Sequence, residues 1–315
     1  MTTPAAPPDL LELLRCPLCG ARLEERDDGL GCTGCGRSFA IEDEIPLLVH
    51  DDLPGVREKL RESAGWVEKA RREGWYEPDD EAEAKLPEAD WNELSWFANR
   101  HSFQVLLDRY VEPGMRVLEV GAAKCWGAPH LLARGCEYVG TDMLVDANIG
   151  LRRGRFYEEL AGRPFARVQA DGEHLPFPDG SFDLTYCVAT LHHALDLSRM
   201  VKELARVTRP RGIVAALNEG TRGLRASRDS PQQREERELG INEHVHTAWT
   251  YAAAFARAGL TLRRAERADG YTPPGLGGVL VRLPKVGTTL GTLIHLSSGG
   301  YAGISIYARK RARGS

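Results

Sequence analysis

The sequence predicts an α/β protein, with a doubly wound, mostly parallel sheet behind a small module that contains four cysteines. From residue 115 onward, short apolar runs alternate with helix-like segments, which is the pattern of βαβ units around a parallel sheet. Near the N-terminus, four of the seven cysteines form two close pairs, a spacing typical of metal ligands. These two observations together indicate two domains.

Length, composition and charge narrow the class of protein. The 315 residues are 42% hydrophobic and 27% charged, enough for one α/β domain and one small module. The formal net charge of -4 gives no long-range attraction to nucleic acid, which would need a local basic patch. The sequence has no apolar run near the roughly 18 residues of a membrane span, nor the cysteine pattern of a secreted framework. We therefore expect a cytoplasmic protein without membrane association.

We divide the chain into three parts. Residues 1–50 form the cysteine module, residues 51–99 a polar helical linker or cap, and residues 100–315 the α/β domain. Within the last part, residues 220–246 are rich in Arg and Glu, and we expect them to form a substrate cap over the carboxyl ends of the strands. Four tryptophans would dock the linker onto another surface: Trp66, Trp75, Trp91 and Trp96.

The α/β part contains seven strand-like runs and three helix-like runs. We expect strands over residues 115–120, 137–142, 165–171, 183–189, 212–218, 261–266 and 303–308. We expect helices over residues 127–134, 197–207 and 248–258.

Two CxxC pairs, separated by twelve residues, predict a structural zinc site with the ligands Cys16, Cys19, Cys32 and Cys35. Zinc prefers a tetrahedron of soft donors, and each CxxC turn aims two thiolates at one point. Four protein ligands leave no position for water or substrate, so the ion would supply folding energy to a module too small for its own core. The alternatives are a thioredoxin-like redox pair or incidental cysteines.

Residues 10–49 also resemble the short zinc-ribbon activator subunit of eukaryotic tRNA, rRNA and release-factor methyltransferases. The four cysteines and the IxDxIPLL pattern of residues 41–48 carry this resemblance. It implies a scaffold that stabilises a methyltransferase fold by docking beside it. A ribbon fused to its catalytic domain would do so in cis.

Acidic residues lie at the ends of three consecutive strands. The first strand ends at Glu119 and turns at Gly121, where backbone N–H groups and a helix N-terminus would face a ligand. The second ends at Asp142, which could accept both hydroxyls of a ribose, and the third ends at Asp171, which could accept an adenine amino group. A nicotinamide dehydrogenase is the competing interpretation, but a full GxGxxG is absent from the sequence.

These strand ends, followed by the runs LPFPDGSFD and RVTRPRG, resemble class I S-adenosylmethionine-dependent methyltransferases, especially the ubiquinone- and menaquinone-biosynthesis group. The resemblance covers residues 100–218 and implies a Rossmann-like sheet. The first loop departs from the usual three alternating glycines, since Ala123 and Cys125 replace the second and third. The expected cofactor site comprises Arg100, Glu119, Gly121, Ala122, Ala123, Gly127, Asp142, Met143, Asp171, Gly172, Cys187 and Val188.

Four histidines are candidates for proton chemistry at the acceptor. His192 and His193 follow the fourth strand and are either a general base or structural contacts to the cofactor. His244 and His246 share one side of an extended segment and could form a base, a substrate clamp or a metal pair, or simply pack before the next helix. Carboxylates are available at Asp196, Glu219 and Glu243, but no spacing rule links them to the histidines. We predict no catalytic metal.

The first functional hypothesis is a methyltransferase that uses S-adenosylmethionine to methylate a small polar acceptor, at oxygen. Trp126 in the first loop and Asp146 after the second strand resemble bacterial enzymes of natural-product or surface-glycan pathways. The alternative is a tRNA or rRNA methyltransferase whose ribbon holds the nucleic acid, favoured only by the basic tail at residues 309–313. A third hypothesis is a regulatory protein that has lost turnover. The oligomeric state is not predicted.

Overall fold

The computed structural model describes residues 8–88, 94–226, 231–271, 287–298 and 301–312. The N-terminal module begins with helix α1, followed by two antiparallel sheets of three and two short strands. Its elements are α1 (Pro8–Leu13), β1 (Leu23–Arg26), β2 (Gly29–Cys32), β3 (Ser38–Phe39), β4 (Ile41–Glu42) and β5 (Ile45–Pro46).

Three helices follow the N-terminal module. They are α2 (Val56–Glu73), α3 (Asp80–Glu83) and α4 (Leu94–Tyr110), and the last extends past residue 99. Helix α2 ends at Gly74, whose φ of 79° is the left-handed conformation that terminates helices and that glycine adopts without strain. Trp66 and Trp75 lie against the α/β domain, and Trp96 packs on Trp126 with ring centroids 5.8 Å apart. Trp91 lies outside the described residues.

The α/β part forms one seven-stranded sheet. Its elements are β6 (Arg116–Val120), α5 (Ala128–Ala133), β7 (Glu137–Asp142), α6 (Gly154–Ala161), β8 (Ala166–Gln169), β9 (Phe182–Val188), α7 (Leu197–Val207), β10 (Thr208–Arg222), α8 (Pro231–Glu238), α9 (Ala248–Arg257), β11 (Leu260–Arg267), α10 (Gly287–Ser298) and β12 (Tyr301–Lys310). The strand order is β11-β12-β10-β9-β6-β7-β8, and β12 runs antiparallel to both its neighbours. The predicted doubly wound, mostly parallel sheet is confirmed.

The strand order places a ligand crevice between β6 and β9. The chain passes outward from β6 through β7 to β8, then returns to add β9 on the other side of β6. Where the winding direction reverses, the loops after the two central strands diverge and leave a crevice at their carboxyl ends. Both faces of the sheet are covered: Leu118 belongs to an apolar cluster on one face and the adjacent Val117 to a cluster on the other.

The N-terminal module extends the sheet at its β8 edge. Leu47 forms a parallel bridge with Gln169, and the Leu48 N–H donates a hydrogen bond of 2.9 Å to the Gln169 carbonyl. The Arg15 N–H donates to the Pro176 carbonyl at 2.8 Å, and Leu48 is fully buried in the core of the α/β domain. Pairing covers the open N–H and C=O groups of an edge strand. The module therefore docks in cis on its own α/β domain.

Residues 220–246, expected as a cap, divide into three parts. The first three residues complete β10, and α8 follows within the described chain. The loop after α8 packs against α2, and a Cβ added to Gly65 would stand 2.3 Å from the Leu239 carbonyl oxygen.

Among the helices that the structure describes, none combines the length and apolarity needed to cross a bilayer.

Candidate cofactor site and zinc centre

The four cysteines of the N-terminal module converge as the sequence predicts. The Sγ atoms of Cys16 and Cys35 are 3.7 Å apart, those of Cys19 and Cys32 are 3.4 Å apart, and all four lie within 4.8 Å of one another. A Zn–S bond of about 2.3 Å gives a tetrahedron edge of about 3.8 Å. The backbone N–H of Cys35 also donates to Cys32 Sγ at 3.4 Å, which stabilises a thiolate. The donor set fits zinc in a closed, structural site.

A cavity of about 350 Å³ opens at the carboxyl ends of the central strands, between β6 and β9. Its wall contains eight of the residues predicted for cofactor or catalysis: Gly121, Ala123, Asp142, Met143, Asp171, Gly172, Val188 and His193. The three loops that follow β6, β7 and β8 thus meet at one place. This is the position and size that a nucleotide-type cofactor requires.

The loop after β6 keeps the left-handed backbone conformations of a glycine-rich loop, although Ala123 and Cys125 stand where two of the usual glycines would be. Gly121 has φ 73°, and a Cβ there would stand 2.3 Å from the Thr190 side chain. Ala123 and Cys125 also have positive φ, 44° and 64°. Each left-handed residue other than glycine costs roughly 1–2 kcal/mol. The Cys125 N–H donates to the Ala122 carbonyl at 2.7 Å and holds the turn.

Asp142 holds this loop from the neighbouring strand. Its carboxylate accepts the Ala123 N–H at 2.8 Å with one oxygen and the Leu144 N–H at 2.8 Å with the other. Burial raises the pKa of Asp142, and the backbone N–H donors oppose that rise. A carboxylate has about four lone-pair sites, so two remain that could accept hydrogen bonds from a ligand in the cavity.

Asp171 is engaged by the linker helix. One oxygen accepts Lys59 Nζ at 2.6 Å, and the other faces His174 Nδ1 at 2.7 Å. Lys59 Nζ also lies 2.7 Å from Glu173, so a buried lysine bridges two buried carboxylates. Burial opposes ionisation of Asp171, yet His174 and Lys59 together lower its pKa. The residue expected at the adenine therefore also anchors α2.

Helix α2 supplies a wall of the cavity that the sequence did not reveal. Lys59, Glu62, Ser63 and Trp66 line it, with Trp75 just beyond the helix. Of the described residues, none from 220–246 lines this cavity. The sequence feature that indicates this wall is the presence of Trp66 and Trp75 in an otherwise polar linker, because large aromatic side chains in such a segment normally pack against another part of the protein.

Glu119 lies beneath the cavity floor rather than in its wall. It is fully buried and accepts hydrogen bonds from the Tyr138 hydroxyl at 2.5 Å and the Tyr186 hydroxyl at 2.7 Å. Burial raises its pKa to about 7, although both hydroxyls act in the opposite direction. Its immediate role is to fix two strands behind the glycine-like loop.

Four other predicted cofactor residues also lie outside the cavity wall. Arg100 points to the surface and pairs with Glu88 at 3.1 Å. Ala122 and Cys187 are buried in the apolar core. Gly127 precedes α5, where a Cβ would stand 2.6 Å from the Tyr186 hydroxyl, so close packing requires glycine there.

The adjacent histidines each face a carboxylate. His192 Nδ1 lies 2.9 Å from Glu219, which is fully buried, and His193 Nδ1 lies 2.7 Å from Glu62 of α2. Burial would lower the pKa of His193, but Glu62 and Glu243 raise it to about 9. Burial likewise opposes ionisation of Glu219, and the hydrogen bond with His192 brings its pKa below the ordinary value.

His244 and His246 lie in a second cavity of about 400 Å³. Arg222, Arg237 and Glu243 also line it. Burial lowers the pKa of His246 to about 4, with further contributions from His244 and His192. His193 thus belongs to the wall of the first cavity and Glu243 to that of the second, so the histidine cluster stands between them.

Comparison with known proteins agrees with this architecture. Residues 118–216 match the family described as a methyltransferase domain, and residues 8–44 match the Trm112p-like protein family. A fatty-acid O-methyltransferase from Mycolicibacterium smegmatis is 36% identical over 142 residues, 44% of this chain and 48% of that protein. The 27-O-demethylrifamycin SV methyltransferase of Amycolatopsis mediterranei is 34% identical over 166 residues, 51% and 59%. The chain spans about half the length of these relatives.

Two solved structures show the same fold. The complex between the Haloferax volcanii Trm112 methyltransferase activator and a methyltransferase superposes with a TM-score of 0.50 at 17% identity, over 79% of this chain and 98% of that one. The [4+2]-cyclase SpnF superposes with a TM-score of 0.50 at 15% identity, over 67% and 80%.

The sheet order, the cavity at its switch point and the four-sulfur cluster define a Rossmann-like α/β domain joined to a zinc ribbon. Residues 118–216 form a methyltransferase domain with the Rossmann-like fold of class I methyltransferases, and residues 8–44 form a Trm112p-like domain that contains the four-cysteine cluster.

Proposed function

We propose that this protein transfers a methyl group from S-adenosylmethionine to an oxygen of a small polar acceptor. The observation that carries the proposal is the cavity at the switch point, which gathers Gly121, Asp142 and Asp171 with His193 in one wall. The two named relatives, one called an O-methyltransferase and one acting on a 27-O-demethyl compound, support it. The four-thiol site needs reduced cysteines, which supports the expected cytoplasmic location.

In this proposal the cofactor binds along the ends of three strands. The loop from Gly121 to Ala123 would hold its methionine part, Asp142 its ribose, and Asp171 with Gly172 its adenine. When bound, the cofactor supplies an electrophilic methyl group on a sulfonium. Helix α2 covers this wall and would exclude water from the reacting atoms.

Oxygen is favoured as the acceptor atom because histidine–carboxylate pairs stand beside the cavity. A hydroxyl acceptor must lose its proton as it attacks, and a positioned base lowers that barrier. His192 has the better geometry for a base, since the buried Glu219 fixes its Nδ1 and leaves Nε2 available. His193, with a pKa of about 9, is protonated at neutral pH and serves to hold Glu62 of α2. The sterol 24-C-methyltransferases among the relatives make carbon the competing acceptor atom.

Two experiments test the proposal in sequence. Calorimetric titration with S-adenosylhomocysteine should show one binding site, and absence of binding would favour a regulatory protein. Transfer of labelled methyl should then be measured to a panel of hydroxylated small molecules and, separately, to bulk tRNA and rRNA. Label in a small molecule that is lost on His192→Ala, with cofactor binding retained, would support the proposal. Label only in RNA would support the alternative, and label retained in His192→Ala would remove that histidine as the base.

A further inference from the structure

Beyond the ribbon, we propose a second metal site, in which His192, His193 and Glu243 bind a first-row transition-metal dication. The two histidine Nε2 atoms lie 3.7 and 3.8 Å from one oxygen of Glu243, and the candidate ligand atoms all lie within 4.8 Å of one another. Two imidazoles and a carboxylate are the donor types that zinc, iron and nickel share. Three protein ligands leave positions open for substrate or water.

The surroundings of the two histidines are those of metal ligands. A ligating histidine normally donates its second ring N–H to a carboxylate or a backbone carbonyl, which orients the ring. His192 Nδ1 faces the carboxylate of Glu219 at 2.9 Å, and His193 Nδ1 faces the Asn242 carbonyl at 2.8 Å. Both rings therefore turn the same nitrogen, Nε2, toward Glu243.

The backbone fixes Glu243 between the two rings. On one side of it, the Asn242 side-chain amide donates to the His193 carbonyl at 3.0 Å. On the other side, the His244 N–H donates to the His192 carbonyl at 3.0 Å. The two segments are thus clamped before any ligand arrives. These backbone hydrogen bonds bring Glu243 next to the histidines, a proximity that the spacing in the sequence does not predict.

The charges of the cluster also suit a cation. Glu62, Glu219 and Glu243 all approach the two imidazoles, and their side chains are exposed by 12% or less. Carboxylates held this close together in a partly dry site repel one another unless positive charge lies between them. A dication bound to both Nε2 atoms would displace the proton that His193 otherwise carries and would supply more positive charge than that proton does.

The catalytic consequence rests on the proposed function, whereas binding of the metal does not. The cluster lies between the two cavities, so an acceptor hydroxyl could occupy an open coordination position. A bound dication lowers the pKa of an oxygen ligand, and the proton passes to solvent. The oxygen then bonds to the methyl carbon while the sulfur–carbon electron pair returns to sulfur. With Nε2 bound to the metal, His192 could not also be the base, so the metal would replace His192 in activating the hydroxyl while the cofactor site and the methyl transfer of the proposed function stay the same.

Metal content tests the site directly. The full chain, dialysed against Zn²⁺ and then metal-free buffer, should contain one ion in the ribbon and one more in the cluster by elemental analysis. Glu243→Gln should lose the second ion and keep the first. Glu235→Gln, which alters an exposed carboxylate on α8, is the matched control and should keep both. One ion in the wild type, or an unchanged count in Glu243→Gln, would overturn the proposal.

Two further measurements keep the test decisive. Co²⁺ in the cluster should give the visible bands of nitrogen and oxygen ligands, without the thiolate charge-transfer absorption of the ribbon. His193→Gln should lose those bands, and this variant replaces Glu243→Gln if the latter does not fold. Glu219→Gln should weaken Co²⁺ binding by about 10–100-fold, as expected for a residue that orients a ligand. Unaltered Co²⁺ affinity in both variants would refute the site. The metal-binding measurements contain no S-adenosylmethionine, so they test the metal site independently of the proposed function. A protein that binds the second metal ion but transfers no methyl group would refute the proposed function and leave the metal site standing.

Discussion

Replacing the buried Lys59 with methionine should lower the free energy of unfolding more than replacing an exposed charged residue does. Lys59 Nζ lies 2.6 Å from Asp171 and 2.7 Å from Glu173, and all three side chains are less than 9% exposed. Methionine keeps most of the volume and removes the charge. Two carboxylates would then be buried without their cation.

The size of the expected loss in unfolding free energy depends on the hydrogen bonds that each carboxylate keeps. Breaking a buried ion pair from one side costs about 3–5 kcal/mol. Asp171 keeps His174 and the Glu173 N–H, and Glu173 keeps the Leu195 N–H at 2.8 Å. These remaining donors place the expected loss at the low end, about 3 kcal/mol. With a urea m-value of about 3 kcal/mol/M, the midpoint should fall by about 1 M.

Urea unfolding followed by circular dichroism measures this shift. Lys85→Met is the matched control, since Lys85 forms an exposed pair with Glu81 and should change stability by less than about 1 kcal/mol. Adding Glu173→Gln to Lys59→Met should recover part of the loss, because one unpaired charge is removed. Equal midpoints for Lys59→Met and Lys85→Met would refute the assignment of Lys59 as the anchor of α2.

Three further outcomes are expected. Cys32→Ser should lose the ribbon zinc and lower the melting temperature, measured by elemental analysis and calorimetry; a variant that melts like the wild type would contradict a structural role. Asp142→Ala should weaken S-adenosylhomocysteine binding at least tenfold by calorimetry, because it removes both the loop anchor and the expected ribose acceptor, and unchanged affinity would refute the site. Glu119 has a folded-state pKa of about 7 against an ordinary value of 4.5, so its contribution to stability is complete below pH 4.5 and is lost as the pH rises to 7. Glu119→Gln should flatten that part of the stability–pH curve, and a parallel curve would show that Glu119 does not titrate there.

Much of the fold was predictable because its signals are local. The apolar runs before Glu119 and Asp142 coincide with β6 and β7, and the CxxC pairs coincide with the four-sulfur cluster. A buried strand or a tetrahedral ligand set imposes residue types at fixed spacing, and spacing is visible in a sequence.

The rest of the site depended on contacts between distant segments. Lys59 meets Asp171 across 112 positions, and His192 meets Glu219 across 27. The lining role of α2 followed from where the ribbon places the linker, which no periodicity encodes. Similarly, the residue types at Ala123 and Cys125 do not fix the loop conformation, which depends on hydrogen bonds from its backbone to Asp142 and to the Ala122 carbonyl.

The ribbon and the cofactor cavity share one strand end, and this couples the zinc to the site. Leu48 pairs with Gln169, two positions before Asp171, and α2 begins at Val56, eight positions after Leu48. The ribbon's hold on β8 therefore fixes the start of the helix that carries Lys59 into the cavity wall. Because the chain between these two anchors is short, loss of the zinc should loosen α2 as well as the ribbon. A zinc ion in the ribbon would thereby help to hold α2, and with it Lys59, in the cavity wall.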